Sequence, residues 1–176
     1  MIFNKTKLEG AYIVELQKHE DERGFFARGW CQEEFEQAGL IPKVVQANIS
    51  YNPYKGTLRG MHMQNAPYEE TKFIRCTRGA LYDVIVDLRQ DSLTFMQWIG
   101  VELTEKNYRM LYVPRGFAHG FQTLEADTEA FYMVSEFYTP SAEQGYRYND
   151  PAFGIEWPLP VTTMSDKDKN WPDFQR

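Results

Sequence analysis

Thr57-Leu58-Arg59-Gly60-Met61-His62-Met63-Gln64 carries a cation, an imidazole and an amide within one short extended run. Side chains alternate between faces along a strand, so His62 and Gln64 point one way while Met61 and Met63 point the other. Gly60 lets the backbone bend or lets another group come close. One oily face and one face bearing His and Gln is a poor solvated surface and a reasonable polar wall of a pocket. A single histidine in a strand is more often a satisfied core residue, so the flanking sequence has to decide between the two.

Outward from this run, β-branched and aromatic residues dominate short segments at 57–64, 71–77, 80–88, 95–103, 108–113, 117–123 and 128–138. Turn signals separate them: Asn65-Ala66-Pro67, Arg78-Gly79, Arg89-Gln90-Asp91-Ser92, Glu105-Lys106-Asn107, Pro114-Arg115-Gly116 and Glu125-Ala126-Asp127. Regular strand spacing of this kind predicts an all-β sandwich or barrel. Strands do not alternate with long helices, which argues against a doubly wound α/β fold. Upstream, 10–16 reads as a strand and 19–26 as a charged turn entering a strand. Residues 31–40 read as a short helix with Gly39 as its C-terminal cap. The run 44–50 is a further strand with Gln46 and Asn48 on one face. The tail from residue 139, rich in Pro, Asp and aromatics, is expected to wrap the sheet irregularly with one helical turn. Trp157 and Trp171 are read as its packing anchors. Nothing divides the chain, so one domain over 1–176 is expected.

The 176 residues are 43% hydrophobic and 15% aromatic, enough for a substantial core. A net charge of −6 argues against a nucleic-acid binder held by phosphate contacts, though a small basic pocket for a nucleotide remains compatible with it. Cys31 and Cys76 have neither metal-ligand nor disulfide-scaffold spacing and read as free thiols of a reducing compartment. No apolar run approaches a membrane span and no signal peptide is apparent. The expectation is a cytoplasmic protein without a membrane partner.

A second polar landmark is Pro114-Arg115-Gly116-Phe117-Ala118-His119-Gly120-Phe121, a turn followed by a strand that presents an imidazole. Together with the 57–64 run it resembles the cupin pattern. A metal-binding cupin carries a second His where this chain has Gln64, and His19 sits in a charged turn, leaving His62 and His119. Two imidazoles are thin for a transition metal that usually takes three protein ligands, so no metal is expected. Chemistry would then fall to side chains. His62 suits a base near neutrality, Lys72 can stabilise a developing oxyanion, and Tyr132 can donate a proton. Neither a Gly-x-Ser-x-Gly elbow nor a Gly-x-Gly-x-x-Gly or Walker loop occurs, which disfavours acyl transfer, hydride transfer and NTP hydrolysis.

Six motifs in order resemble the dTDP-4-dehydrorhamnose 3,5-epimerase family: Asp21-Glu22-Arg23-Gly24-Phe25-Phe26, Leu58 to Gln64, Asp83-Val84-Ile85-Val86-Asp87-Leu88-Arg89, Pro114 to Phe121, Asn149-Asp150-Pro151 and Ile155-Glu156-Trp157-Pro158. The resemblance implies a cupin-like jelly-roll barrel, a homodimer, no cofactor and a nucleotide-sugar substrate. It implies His62 as base, paired with Asp168, with Lys72 beside the sugar, Tyr132 as proton donor and His119 as a substrate contact. It sets nucleotide contacts at Arg23, Gln46, Asn48, Arg59, Glu143 and Lys167, and base stacking at Tyr138. The chain departs from the family pattern at three places. Arg28 stands where a glutamate usually contacts the nucleotide, Ala47 splits Gln46 from Asn48 in place of Asp, and Glu70-Thr71 precede Lys72 in place of Gln-Gly. These departures keep alternatives open: a GDP-, CDP- or UDP-linked sugar, inversion at one centre, a 3,4-ketoisomerase, or a sugar-nucleotide-binding cupin without catalysis.

Overall fold

The strands at 80–87, 110–113 and 117–123 are buried along nearly their whole length, while the strand at 46–52 alternates partly buried and exposed residues. The structure, a computed structural model, describes residues 1–175. Its strands are β1 (Ile2–Lys5), β2 (Tyr12–Glu15), β3 (His19–Asp21), β4 (Gly24–Phe26), β5 (Gln46–Asn52), β6 (Leu58–Gln64), β7 (Lys72–Arg78), β8 (Ala80–Asp87), β9 (Trp98–Thr104), β10 (Met110–Val113), β11 (Phe117–Thr123), β12 (Thr128–Val134) and β13 (Glu143–Gly145). Two short helices, α1 (Gln32–Gln37) and α2 (Asp166–Lys169), and one 3-10 turn (Pro140–Ala142) complete it. The six-stranded sheet runs β1-β2-β10-β7-β12-β5, and the five-stranded sheet runs β13-β6-β11-β8-β9. β3 and β4 form a separate two-stranded hairpin. The order mixes distant strands, as in a jelly roll, and every pair named is antiparallel. The all-β fold expected from the strand pattern, and the cupin-like jelly roll that the resemblance implies, are the fold found.

The inner faces of the two sheets meet in a core of Ile74, Cys76, Leu81, Ile85, Leu103, Leu111, Val113, Phe117, Phe121 and Ala130. The outer face of the six-stranded sheet is covered by α1 through Phe35, packed with Val14, Phe73, Met110 and Tyr112. A six-residue helix is too short to persist alone. Phe35 anchors it by edge-on contacts to Phe3, Phe73 and Tyr112 at ring-centroid distances of 5.3, 5.0 and 5.9 Å. Each such pair adds about 0.5–1.5 kcal/mol beyond burial. Gly39 has φ +73° and closes the helix as expected: its N–H donates to Glu36 O, and Leu40 N–H to Phe35 O. The outer face of the five-stranded sheet is covered by the C-terminal tail. Met61, Val84, Val86 and Ala118 pack there against Tyr146 and Phe153, with Met63, Trp157 and Phe174 at the margin. Met61 of the 57–64 run is therefore buried on this outer face, as alternation requires, and Met63 packs at its margin. Buried Asp150 ties the tail down by accepting from Ala152 N–H (2.8 Å) and Phe174 N–H.

Three expectations shift. The segment read as a strand over 128–138 ends as a strand at Val134; beyond it Ser135 N–H donates to Thr71 O, and Gln64 bonds the backbone of Phe137 and Thr139. The segment at 95–103 pairs only from Trp98, since residues before it are turned around buried Asp87, which accepts from Ser92 and Thr94 hydroxyls and from Arg89. The run 19–26 is a pair of three-residue strands exposed along their length.

Candidate active site

A cavity of about 370 Å³ lies at one end of the inter-sheet space, lined by Gln46, Asn48, His62, Met63, Gln64, Glu70, Lys72, Tyr132, Val134, Tyr138 and Glu143. Strand register explains the set. On the six-stranded sheet Gln46 is opposite Val134, Asn48 is opposite Tyr132, and Val134 is opposite Lys72, so these side chains share the inner face. On the five-stranded sheet Glu143 is opposite Gln64, and Gly145 is opposite His62. The histidine and the tyrosine thus approach the cavity from different sheets.

His62 is held by a group 106 residues away. Its Nε2 lies 2.6 Å from Asp168 Oδ1, and Asp168 Oδ2 accepts from Gly60 N–H at 3.3 Å. Ser165 caps α2, its Oγ accepting from Asp168 N–H at 3.1 Å, and Leu58 N–H donates to Thr163 O at 2.9 Å. These bonds bring the tail alongside β6 and leave Nδ1 as the ring nitrogen that Asp168 does not engage. Burial works to raise the Asp168 carboxyl, but the imidazole bond, the His62 charge and the Gly60 N–H outweigh it, so the group is held below its ordinary value. Gly60 is needed here for space: a Cβ at this position, where φ is +123°, would sit 2.5 Å from Gly120 Cα on the neighbouring strand.

Lys72 and Glu70 form an ion pair at the cavity wall, their side chains 11% and 10% exposed. Tyr132 is half-buried. Burial first, and the Glu70 charge second, push its phenol above the ordinary value, against a smaller opposing effect from Arg59. At the mouth, Tyr138 Oη donates to Glu143 at 2.8 Å and Lys167 pairs with the same carboxylate. Burial would raise Glu143, but those two bonds prevail and lower it. Gln46 Nε2 donates to Asn48 Oδ1 at 2.9 Å, so the two amides form one patch. Gln64 spends its amide on backbone: Nε2 donates to Tyr68 O (2.9 Å) and Phe137 O (3.2 Å), and Oε1 accepts from Thr139 N–H (2.6 Å). It is a tether that sets Tyr138 at the cavity mouth. Among the described residues, no three His, Cys, Asp or Glu side chains converge to hold a metal ion.

Comparison with known proteins fits this geometry. The family model described as dTDP-4-dehydrorhamnose 3,5-epimerase matches residues 5–176. The chain belongs to that epimerase family. A dTDP-4-dehydrorhamnose 3,5-epimerase of Shigella flexneri is 42% identical over 171 residues, covering 97% of this chain and 94% of the relative. The crystal structure of the Bacillus anthracis str. Ames dTDP-4-dehydrorhamnose 3,5-epimerase with TDP and PPi bound superimposes with a TM-score of 0.94 at 42% identity, covering 98% and 99% of the two chains. A 3'-monoepimerase from Streptomyces bikiniensis in complex with dTDP-quinovose also superimposes, with a TM-score of 0.88 at 34% identity, covering 97% of this chain and 86% of that one.

Of the site residues expected from the epimerase family, the structure gathers His62, Asp168, Lys72, Tyr132, Gln46, Asn48, Tyr138, Glu143 and Lys167 at or around one cavity. Arg59 stands beside it, its Nε donating to Asn52 Oδ1 at 2.7 Å. His119 is opposite His62 in register, but its Nε2 is bound to buried Asp83 Oδ1 at 2.7 Å and it is not among the cavity walls. Arg23 and Arg28 are elsewhere: Arg23 pairs with Asp21 on the exposed hairpin, and Arg28 pairs with Glu34 beside α1, each at 2.6 Å. Sequence reading did not select Glu70, Ser165 or Asp83 as site residues. Glu70 was visible only as a departure from the family pattern. Ser165 was legible as a helix cap three residues before Asp168.

Proposed function

We propose that this chain is a cofactor-independent isomerase that inverts C3 and C5 of a dTDP-linked 4-keto-6-deoxy sugar, dTDP-4-keto-6-deoxyglucose, in deoxysugar biosynthesis. The observation that carries the reading is His62 on one sheet, engaged by Asp168 from α2, with Tyr132 across the cavity on the other sheet. A 4-keto group acidifies the protons on both adjacent carbons. His62 Nδ1 removes one, and Asp168 stabilises the resulting imidazolium. Lys72 donates to the enolate oxygen, and Tyr132 returns a proton to the opposite face, which inverts the carbon. Solvent then resets the phenolate and imidazolium, and the cycle repeats at the second carbon. Neither redox chemistry nor a metal is required for these steps. A protein that only bound the sugar nucleotide would have no use for a buried carboxylate aligned on His62.

The nucleotide contacts in this reading are Gln46, Asn48, Arg59, Glu143 and Lys167 at the cavity mouth, with Tyr138 stacking on the base and His119 on the sugar side. Arg23 and Arg28 join the site from a second copy of the chain in a homodimer. Support for a partner surface comes from exposed Phe26, Ile49 and Tyr51 and from β5 at the edge of its sheet. A single domain in the cytoplasm is consistent with the unpaired cysteines, and among the described residues no helix is long and apolar enough to cross a membrane. A second reading, inversion at one centre, is favoured by the structural likeness to the 3'-monoepimerase. Solvent deuterium uptake by dTDP-4-keto-6-deoxyglucose decides between them. Uptake at C3 and C5 supports double inversion, uptake at one carbon supports a single-centre enzyme, and no uptake leaves binding alone.

A further inference from the structure

Glu70 is a carboxylate on the wall of the cavity that the proton-transfer scheme does not use. It lies two residues before Lys72, so both side chains leave the chain on one side. The residue between them is fixed: Thr71 N–H donates to Ser135 Oγ at 2.8 Å, and Ser135 N–H donates to Thr71 O at 3.1 Å. That clamp joins the start of β7 to the end of β12, the strand carrying Tyr132. Glu70 is paired with Lys72, and both are nearly enclosed. The other charged or titratable groups facing this part of the cavity are Arg59 and His62 from β6, Glu143 from β13 and Tyr138 from the segment after β12.

We propose that Glu70 is a positioning residue for the proton transfers: it fixes the Lys72 ammonium against the wall shared with Tyr132. The inference rests on the proposed epimerase reading for the roles of Lys72 and Tyr132. It adds a third member to that group. A long flexible lysine loses much rotamer freedom when it is held in one geometry, and a fixed carboxylate holds it there before substrate enters. A negative charge beside a phenol opposes its ionisation, so the phenol reports on the charge at position 70. Glu70 acts in the same direction as burial on that phenol, while Arg59 opposes both.

Glu70→Gln removes the charge with little change of shape, and Glu70→Asp keeps the charge on a shorter stem. Tyrosine labelled with ¹³C at Cζ, with the Tyr132 signal assigned by its loss in Tyr132→Phe, reports phenol ionisation directly. In Glu70→Gln the Tyr132 midpoint is expected to fall, and in Glu70→Asp to stay near the wild-type value. Net inversion at neutral pH is expected to lose roughly tenfold in kcat in Glu70→Gln, about the scale of one hydrogen bond to a charged group. KM and dTDP affinity are expected to hold, with partial recovery in Glu70→Asp. Superimposable Tyr132 titrations in wild type and Glu70→Gln would overturn the proposal, as would an unchanged kcat in a variant whose phenol does move. The titration needs no substrate. A phenol that shifts as expected in a protein that epimerises no sugar would therefore refute the epimerase reading and leave the placement of Glu70 standing.

Discussion

Replacing Asp168 by Asn tests the link between the C-terminal tail and the chemistry of His62. The substitution keeps the shape of a side chain that is 4% exposed and removes the charge 2.6 Å from Nε2. A hydrogen bond to a charged group is worth about 1.5–3 kcal/mol, and each 1.36 kcal/mol is tenfold in rate. Loss of that bond alone slows proton abstraction by roughly ten- to a hundredfold. The direct charge–charge term at about 4 Å and an effective dielectric constant near 20 is about 4 kcal/mol, so roughly a thousandfold bounds the effect from above. An amide that turns its NH₂ toward Nε2 would also hold the wrong tautomer, which pushes the result toward that bound. The fold should survive, because α2 keeps its Ser165 cap and the Thr163–Leu58 bond. The assay is the rate of deuterium wash-in at C3 and C5 of dTDP-4-keto-6-deoxyglucose, read by proton NMR, alongside dTDP affinity by calorimetry. Exchange within about threefold of wild type, in a folded variant with normal dTDP affinity, would refute the assignment of Asp168 as the partner of the base.

Four further outcomes are expected. His62→Asn should abolish exchange at both carbons with dTDP binding nearly intact, and exchange near the wild-type rate would remove His62 from the role of base. Tyr132→Phe should reduce net inversion by about 10²–10⁴-fold while exchange survives better, because His62 still forms the enolate; equal loss of both would make Tyr132 a sugar-positioning residue. Activity should persist after exhaustive chelation, and loss restored by one metal would defeat a mechanism run by side chains alone. The Asp168 and Glu143 carboxyls are depressed in the folded protein, so the stability they add is complete above their unfolded values near 3.9 and 4.3. It is lost as pH falls through the lower folded values. Amide protection of the 163–170 segment, relative to the intrinsic exchange rate at each pH, should fall over that acid window in wild type and show less pH dependence in Asp168→Asn.

Much of the fold was legible because it depends on local pattern. Period-2 alternation put Met61 and Met63 on one face and His62 and Gln64 on the other, and the tail does cover the methionine face. Gln46 and Asn48 share a face for the same reason. Several motifs that mark the family turn out to hold structure together. Asp87 gathers Arg89, Ser92 and Thr94, and Asp150 pins Phe174. A motif says that a residue matters, while only its contacts say whether it matters for packing or for chemistry.

What the sequence by itself determined was the strand content, the short helix with its glycine cap, and the residue types able to move protons. Pairing across long sequence separations was beyond it, because hydrophobic periodicity carries no information about which strand lies beside which. The family resemblance named Asp168 as the partner of His62 and Tyr132 as the donor, and only the tertiary structure shows how they meet: two sheets face each other and the tail is threaded along β6. It also decided the fate of Gln64, whose amide is consumed by the backbone of Tyr68, Phe137 and Thr139, on either side of Tyr138 at the cavity mouth. Arg23 and Arg28 mark the same boundary from the other side: their charge was visible in the sequence, but the exposed hairpin and the segment before α1 that carry them, where they pair with Asp21 and Glu34, lie away from this chain's own cavity.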